Sequence, residues 1–283
     1  MAADLESSKK QYDTFAPIYL SVDQLPASKV ETELVLTALG DCTGLHILDL
    51  GGGTGLHARE AVQFANAAQV DVVDISREML INGSQSLSKE FPEQASKVRW
   101  FEADLSKSLD EQPVPCLDGT SKLRTEEGYD IVMANWLFDH ATSYEALKGM
   151  YGNVARYLKP HGGRFVNVRV FNLRAKFITN GNGKYGAYFK DIERIEGEPG
   201  YKYECGMQLD PTGKAEPFYF GASSMDETLE LRDGEEGGLG RQLGLSQYWV
   251  VPPEETKTFK GDEEYWREFV EEPNLRVVVA RKE

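Results

Sequence analysis

The chain is poor in the residues that would tie it to a metal, an oxidising compartment or a polyanion. Of 283 residues only three are cysteine and four histidine. Cys42, Cys116 and Cys205 form no CxxC pair, and with the histidines scattered no disulfide framework or zinc site is expected; a reducing compartment suits them. Lys and Arg number 31 against 46 Asp and Glu, a net charge of −15, and no run of basic residues stands out. Nucleic acid and anionic membrane surfaces are therefore not expected as partners. No apolar stretch nears the roughly 20 residues that span a bilayer. The opening MAADLESSKKQYDTF has no apolar h-region. No GxSxG nucleophile motif occurs. These absences lead to the expectation of a cytoplasmic protein, with its oligomeric state left open.

What is present is a core-forming alternation of strands and helices. Tyr12, Phe15, Ala16 and Tyr19 fall on one helical stripe, and a second helix is expected from Ser28, its N-cap, to Leu39. HILDL, VDVVDI, VRWFEADL, YDIVMANWL and GRFVNVRV read as five strands. Helical stretches separate them, except for a polar loop at 106–128. This rhythm predicts a doubly wound, mostly parallel α/β sheet. After residue 171 it changes: 172–215 shows no sustained period, PFYFGAS, YWVV and LRVVVARK are strand candidates, DGEEGGLG reads as a loop, and Asp262 caps a helix with Tyr265, Trp266 and Phe269 on its apolar face. One domain is expected: a helical lid at 1–40, a ligand-binding core at 45–170, a substrate cap at 171–250, and closing strands and helix at 251–283.

The chemistry concentrates at the ends of the parallel strands. In LDLGGGTG a strand delivers Asp49, then a tight turn, then a helix; Gly51, Gly53 and Gly55 let the backbone approach a ligand without Cβ interference. A dinucleotide site would place its third glycine at Leu56, so the turn favours a nucleoside ligand without a pyrophosphate. Asp74 ends VDVVDI on the same sheet edge, where a carboxylate can accept both ribose hydroxyls. Asp104 ends the third strand in FEADL; it suits an adenine amino group, with the Leu105 N–H beside it, or else it caps a loop.

LDLGGGTG, VDIS followed by ML, FEADL, DIVMANWLFDH and YLKPHGGRF, in that order and spacing over 45–170, resemble class I S-adenosylmethionine (SAM)-dependent methyltransferases of Rossmann-like fold. YDTFAPIYLS resembles the YDxxAxxYD segment of members that act on small molecules. The resemblance implies that Tyr12 and Tyr19 close over SAM, although both also fit an ordinary core stripe. It places Gly51–Gly55 under the methionine part, Asp74 on ribose, Ile75 and Met79 beside the nucleoside, Asp104 and Leu105 on adenine, and Asn135 and Trp136 along the methyl-transfer channel. ANWL stands where DNA amino-methyltransferases carry NPPY, which argues against nucleobase methylation. His140 becomes either a base or orienter for the acceptor, or a helix cap. His57 reads as pocket wall or packing, and His46 and His161 as structural.

The segment from Gly261 to Glu283 and the chain length resemble fungal methyltransferases of secondary metabolism, among them the gliotoxin type that S-methylates the dithiol of reduced epidithiodiketopiperazines. O- or N-methylation of another natural product, and a SAM-binding regulator without turnover, are the alternatives. Tyr185, Tyr188, Phe189, Phe218 and Tyr219 are candidates for an apolar substrate wall, or simply for the core of the cap.

Overall fold

A computed structural model describes residues 5–181, 183–210, 216–226 and 238–283. Five strands alternate with helices as the hydrophobic rhythm predicts: β1 (His46–Leu50), β2 (Gln69–Asp74), β3 (Val98–Glu102), β4 (Ile131–Met133) and β5 (Arg164–Val170). Their Val- and Ile-rich centres are buried on both faces, the signature of a parallel sheet covered by helices. With β9 (Leu245–Val250) and β10 (Leu275–Lys282) they form one seven-stranded sheet, ordered β3-β2-β1-β4-β5-β10-β9. Pairing is parallel from β3 through β5, and β10 runs antiparallel to both its neighbours. The first four strands therefore end on one edge, which brings Asp49 and Asp74 together. The alternation of segments dictates that edge.

Helices α1 (Leu5–Tyr19), α2 (Pro26–Leu39), α3 (Leu56–Gln63), α4 (Arg77–Glu90), α5 (Pro92–Ala95) and α6 (Tyr144–Tyr157) precede β5. Ser28 does not cap α2: Pro26 occupies its first turn, and the Ser28 hydroxyl bonds to the Val22 carbonyl at 2.8 Å. Asp262 does cap Glu263–Glu271, accepting the Tyr265 N–H. DGEEGGLG lies mostly outside the described residues.

The stretch after residue 171 holds more order than its composition suggests. After α7 (Lys176–Thr179), β6 (Ala187–Arg194), β7 (Gly200–Met207) and β8 (Phe218–Met225) pair as a separate antiparallel sheet. A bulge between Lys190 and Glu193 breaks the two-residue period of β6, which hides it in the sequence. In β7, Tyr203, Cys205 and Met207 face one way, Lys202, Glu204 and Gly206 the other, an alternation too short to stand out over 172–215. Residues 245–250, placed by the sequence in the cap, belong instead to the main sheet.

Helix α1 lies across both sheets. Gln11 pairs with the Gly221 backbone in both directions, at 2.8 and 3.2 Å, on the edge strand β8. Asp13 accepts from Ser76 Oγ at 2.6 Å, and the Phe15 and Phe218 rings are 5.2 Å apart. No helix among the described residues is long and apolar enough to cross a membrane.

Candidate active site

One cavity opens between the ends of β1, β2 and β4, helix α1 and the small sheet. At its base, Gly51 and Gly53 take left-handed conformations with φ of 74° and 54°. Their backbone lines the cavity, where a Cβ would crowd Leu137 or Met79 at 3.2 Å. Gly55 is also left-handed but does not line the cavity; its missing Cβ makes room for the Trp100 ring, which a Cβ would meet at 2.5 Å. The third glycine thus serves helix–strand packing and not ligand approach.

Asp74 accepts the Gly53 N–H at 2.9 Å and the Ser76 N–H at 2.8 Å. Burial pushes its carboxyl up to about 6, although the backbone donors of Ser76 and Gly53 pull the other way. Asp49 is 1% exposed, and burial pushes it up to about 7 against the pull of His57. Its Oδ2 has no hydrogen-bond partner, and neither has His57 Nδ1. Two buried polar atoms on the cavity wall thus have no hydrogen-bond partner within the protein.

His57 is more than packing. Its Nε2 donates to Glu31 Oε1 at 3.0 Å, and the Trp136 indole N–H donates to the same oxygen at 2.8 Å. Burial alone would lower the His57 pKa, but the Glu31 hydrogen bond, the Glu31 charge and the Asp49 charge outweigh it and raise the value. Trp136 itself sits at φ 61°, a region that bulky residues rarely adopt. Nothing in the sequence marks Glu31, which projects from α2 and joins the glycine-turn helix to the end of β4. Its one legible oddity is a carboxylate among the buried positions of that helix.

Across the cavity, Tyr12 from α1 hydrogen-bonds through its hydroxyl to His140 Nε2 at 2.9 Å, and its ring meets Tyr19 edge-on at 5.9 Å. Burial pulls the His140 pKa down to about 4, so the imidazole is neutral at physiological pH. His140 closes the short helical turn Phe138–His140 and caps no following helix; Ser143 caps α6. The roof is one face of the small sheet: Phe189, Tyr203, Cys205, Met207 and Phe220 line the cavity, and burial pushes the Cys205 thiol up. The opposite face carries the ion pairs Lys190–Glu204 and Glu193–Lys202.

A methyltransferase-domain family model matches residues 48–165. Over 119 residues the chain is 29% identical to the malonyl-[acyl-carrier protein] O-methyltransferase of Halalkalibacterium halodurans, covering 41% of this chain and 36% of that one. The matched segment thus spans about a third of the length of this curated relative. An S-adenosylmethionine-dependent methyltransferase from Clostridium acetobutylicum superposes with a TM-score of 0.51 at 17% identity, covering 96% of this chain and 98% of the other. The [4+2]-cyclase SpnF superposes at 0.55 with 16% identity, covering 100% and 97%. At such identities the superpositions establish the Rossmann-like class I methyltransferase fold, and a fold hosts more than one chemistry.

Within the matched residues 48–165, Ile75, Met79, Leu105, Asn135 and Trp136 all line the cavity with Gly51, Gly53 and Asp74. Asn135 also ties β4 to β5, its Oδ1 accepting the Val168 N–H at 3.0 Å. Asp104 is absent from the lining. Its Oδ1 accepts from Ser106 N at 3.0 Å and Ser106 Oγ at 2.6 Å, and Lys107 pairs with Oδ2 at 3.0 Å. This aspartate therefore shapes its own loop, and Ser106 faces the cavity in its place. Outside that segment, Tyr12 and Tyr19 line the cavity, as do Tyr185 and Phe189. Tyr188, Phe218 and Tyr219 do not: Tyr188 and Tyr219 share a hydrogen bond of 2.7 Å on the other face, and Phe218 packs on Phe15.

Proposed function

We propose that this protein is an enzyme that transfers a methyl group from SAM to a small-molecule acceptor. The observation that carries the reading is one continuous cavity. It holds the left-handed glycine turn, Asp74 and two unpartnered buried polar atoms at one end, and His140 under an apolar roof at the other. These residues fit SAM: Asp74 takes the ribose hydroxyls, and Ile75 and Met79 flank the nucleoside. Leu105 and Ser106 border the adenine, with Asp104 acting only through Ser106. The Gly51–Gly53 backbone, Asp49 and His57 meet the methionine end, and Tyr12 and Tyr19 close over it. Asn135 and Trp136 line the passage towards the acceptor. Bound SAM supplies a methyl group already activated on a sulfonium. The protein's share is alignment and exclusion of water, and alignment alone is worth effective molarities on the order of 10⁵ M or more in favourable cases.

The acceptor atom in this reading is a thiol, as in a reduced epidithiodiketopiperazine. A His140 lowered to about 4 is a poor match for a hydroxyl proton, whereas a thiol of pKa about 8.5 ionises with little help. O- or N-methylation of another metabolite is the alternative, and the relative from Halalkalibacterium halodurans is an O-methyltransferase. The deciding experiment measures kcat/KM from pH 6 to 10 on a dithiol diketopiperazine and a phenol, with products weighed by mass spectrometry. A gain of one or two methyl groups on the dithiol is expected, with rates rising towards the thiol pKa and His140→Ala costing less than about tenfold. Turnover of the phenol alone, with a collapse of about 10²–10⁴ in the variant, would defeat the thiol reading. SAM binding without turnover of any acceptor would point to a regulator.

Two binding results should accompany it. Asp74→Ala weakens SAM by about 1–3 kcal/mol in calorimetry, the cost of one lost buried partner to a charged group; an unchanged affinity removes Asp74 from the site. Asp74 and Asp49 accept best when ionised, and their raised values of about 6 and about 7 leave them partly protonated below neutrality. SAM affinity should then climb from pH 5 to 7 and level above about 7.5, with protons released on binding at the acidic end. A flat profile across that window would contradict the assignment.

A further inference from the structure

The roof of the cavity and the charges around it restrict what the acceptor can be. Phe189, Cys205 and Phe220 stand opposite one another across β6, β7 and β8, and Tyr203 and Met207 extend the same face along β7. None of these side chains carries a charge, because strand alternation sends Lys190, Lys202, Glu193 and Glu204 to the outer face, where they pair. Among the described residues that line the whole cavity, five are acidic: Asp23, Glu31, Asp49, Asp74 and Asp139. One lining residue, Arg59, is a fixed cation, and its guanidinium is engaged by Asp23 at 3.0 Å. Buried Arg169 lies outside the lining and gives Nε and Nη2 to the Val170 and Met225 carbonyls; its charge reaches the Tyr203 hydroxyl of the roof, where the Asp139 charge opposes it. His140, at the acceptor end, is held neutral by burial and shares its Nε2 with Tyr12.

We infer that the cavity takes a largely apolar acceptor that is uncharged away from its reacting atom, packed against Phe189, Cys205, Met207 and Phe220, with its reacting atom towards Tyr12 and His140, and that it rejects acceptors bearing a carboxylate. The inference rests on the methyl-transfer reading and narrows it. An anion moved from water to this roof finds no cation among the side chains that line it, so it gives up hydration without a paired charge in return. A neutral ring or apolar ring system gains contact with three aromatic side chains instead. The distinction bears on the curated relative: a malonyl group ends in a carboxylate, and none of the side chains named in this roof carries a positive charge.

The experiment uses two probes that differ in charge and by one ester methyl, the methyl ester and the free acid of 4-(mercaptomethyl)benzoic acid. Each is titrated calorimetrically into the full chain saturated with S-adenosylhomocysteine at pH 7.5, so that binding is read without turnover. The ester is expected to bind at least about a hundredfold tighter than the acid. Phe189→Ala and Phe220→Ala are each expected to weaken the ester several-fold, and Phe189→Ala to leave S-adenosylhomocysteine affinity unchanged. Equal affinity for the two probes, preference for the acid, no binding of the ester, or ester affinity untouched by both variants would overturn the inference while leaving methyl transfer standing. Failure of S-adenosylhomocysteine itself to bind would instead overturn the functional reading, and the inference with it.

Discussion

Replacing Glu31 by leucine is expected to lower the thermal midpoint by on the order of 10 °C and to abolish SAM binding in the same variant. Glu31 Oε1 is the acceptor for two donors, His57 Nε2 at 3.0 Å and Trp136 Nε1 at 2.8 Å, in a place where Glu31 and His57 are each under a tenth exposed. Leucine fills a similar volume but strands both donors. Breaking a buried pair on one side costs about 3–5 kcal/mol. In a domain of this size each kcal/mol moves the midpoint by roughly 2–4 °C. Function suffers as well, because Trp136 holds a left-handed backbone worth about 1–3 kcal/mol of strain, and its indole tether is part of what keeps it there.

Glu31→Gln keeps an oxygen for one donor and should recover at least half of the lost midpoint. The pH dependence separates the charge from the hydrogen bond. The His57 pKa is raised in the folded protein, so the stabilisation from its charged form is complete below the unfolded value near 6.5 and is lost as pH rises through the folded value. The gap between wild type and Glu31→Leu should therefore be widest near pH 5.5 and narrow towards pH 9. A midpoint within 2 °C of wild type at pH 5.5 would mean the network holds nothing together.

Deleting residues 1–20 should reduce turnover by more than about 10³-fold while the seven-stranded sheet stays folded. The sheet contains no residue of α1, so the truncation removes no strand pairing. What it removes is the wall carrying Tyr12 and Tyr19 and the brace between Gln11 and β8. Without that wall, water enters and both reactants lose their alignment; misplacement by about 1 Å can alone cost 10²-fold. Circular dichroism should report a retained α/β fold. In the full chain, SAM should increase hydrogen-exchange protection over residues 5–19. Tyr12→Phe is the gentler counterpart: it keeps the ring and removes the hydroxyl from His140. A truncated protein with wild-type turnover would reject the lid.

Much of this architecture is legible in the sequence because it depends on local periodicity. Buried parallel strands read as apolar runs, helices as stripes, and consecutive parallel strands end on one edge. From that alone, HILDL with its glycine turn and VDVVDI with its terminal Asp74 must meet, and in the structure Gly53 and Asp74 are hydrogen-bonded. Where a residue's task depends on what lies across the interior, the same reasoning stops. Gly55 looks like its two neighbours in the motif, yet Trp100, 45 positions later in the chain, decides that it serves packing. Asp104 reads in the sequence as a strand end like Asp74, but β3 stops at Glu102, and Ser106 and Lys107 occupy the Asp104 carboxylate away from the cavity.

The substrate-facing half was set almost wholly by tertiary structure. Glu31, His57 and Trp136 come from three separate elements, and no periodicity relates them. The roof is assembled from alternate residues of three strands whose pattern is broken in β6 by a bulge. The sequence by itself determined the sheet, its edge and the two groups that flank the glycine turn, because backbone pairing and burial act on neighbours in the chain. Packing decided which face of the small sheet turns inward and which buried polar groups find partners. Those outcomes follow from contacts between distant segments, and a desolvated carboxylate such as Glu31 is tolerable only where such contacts supply its donors.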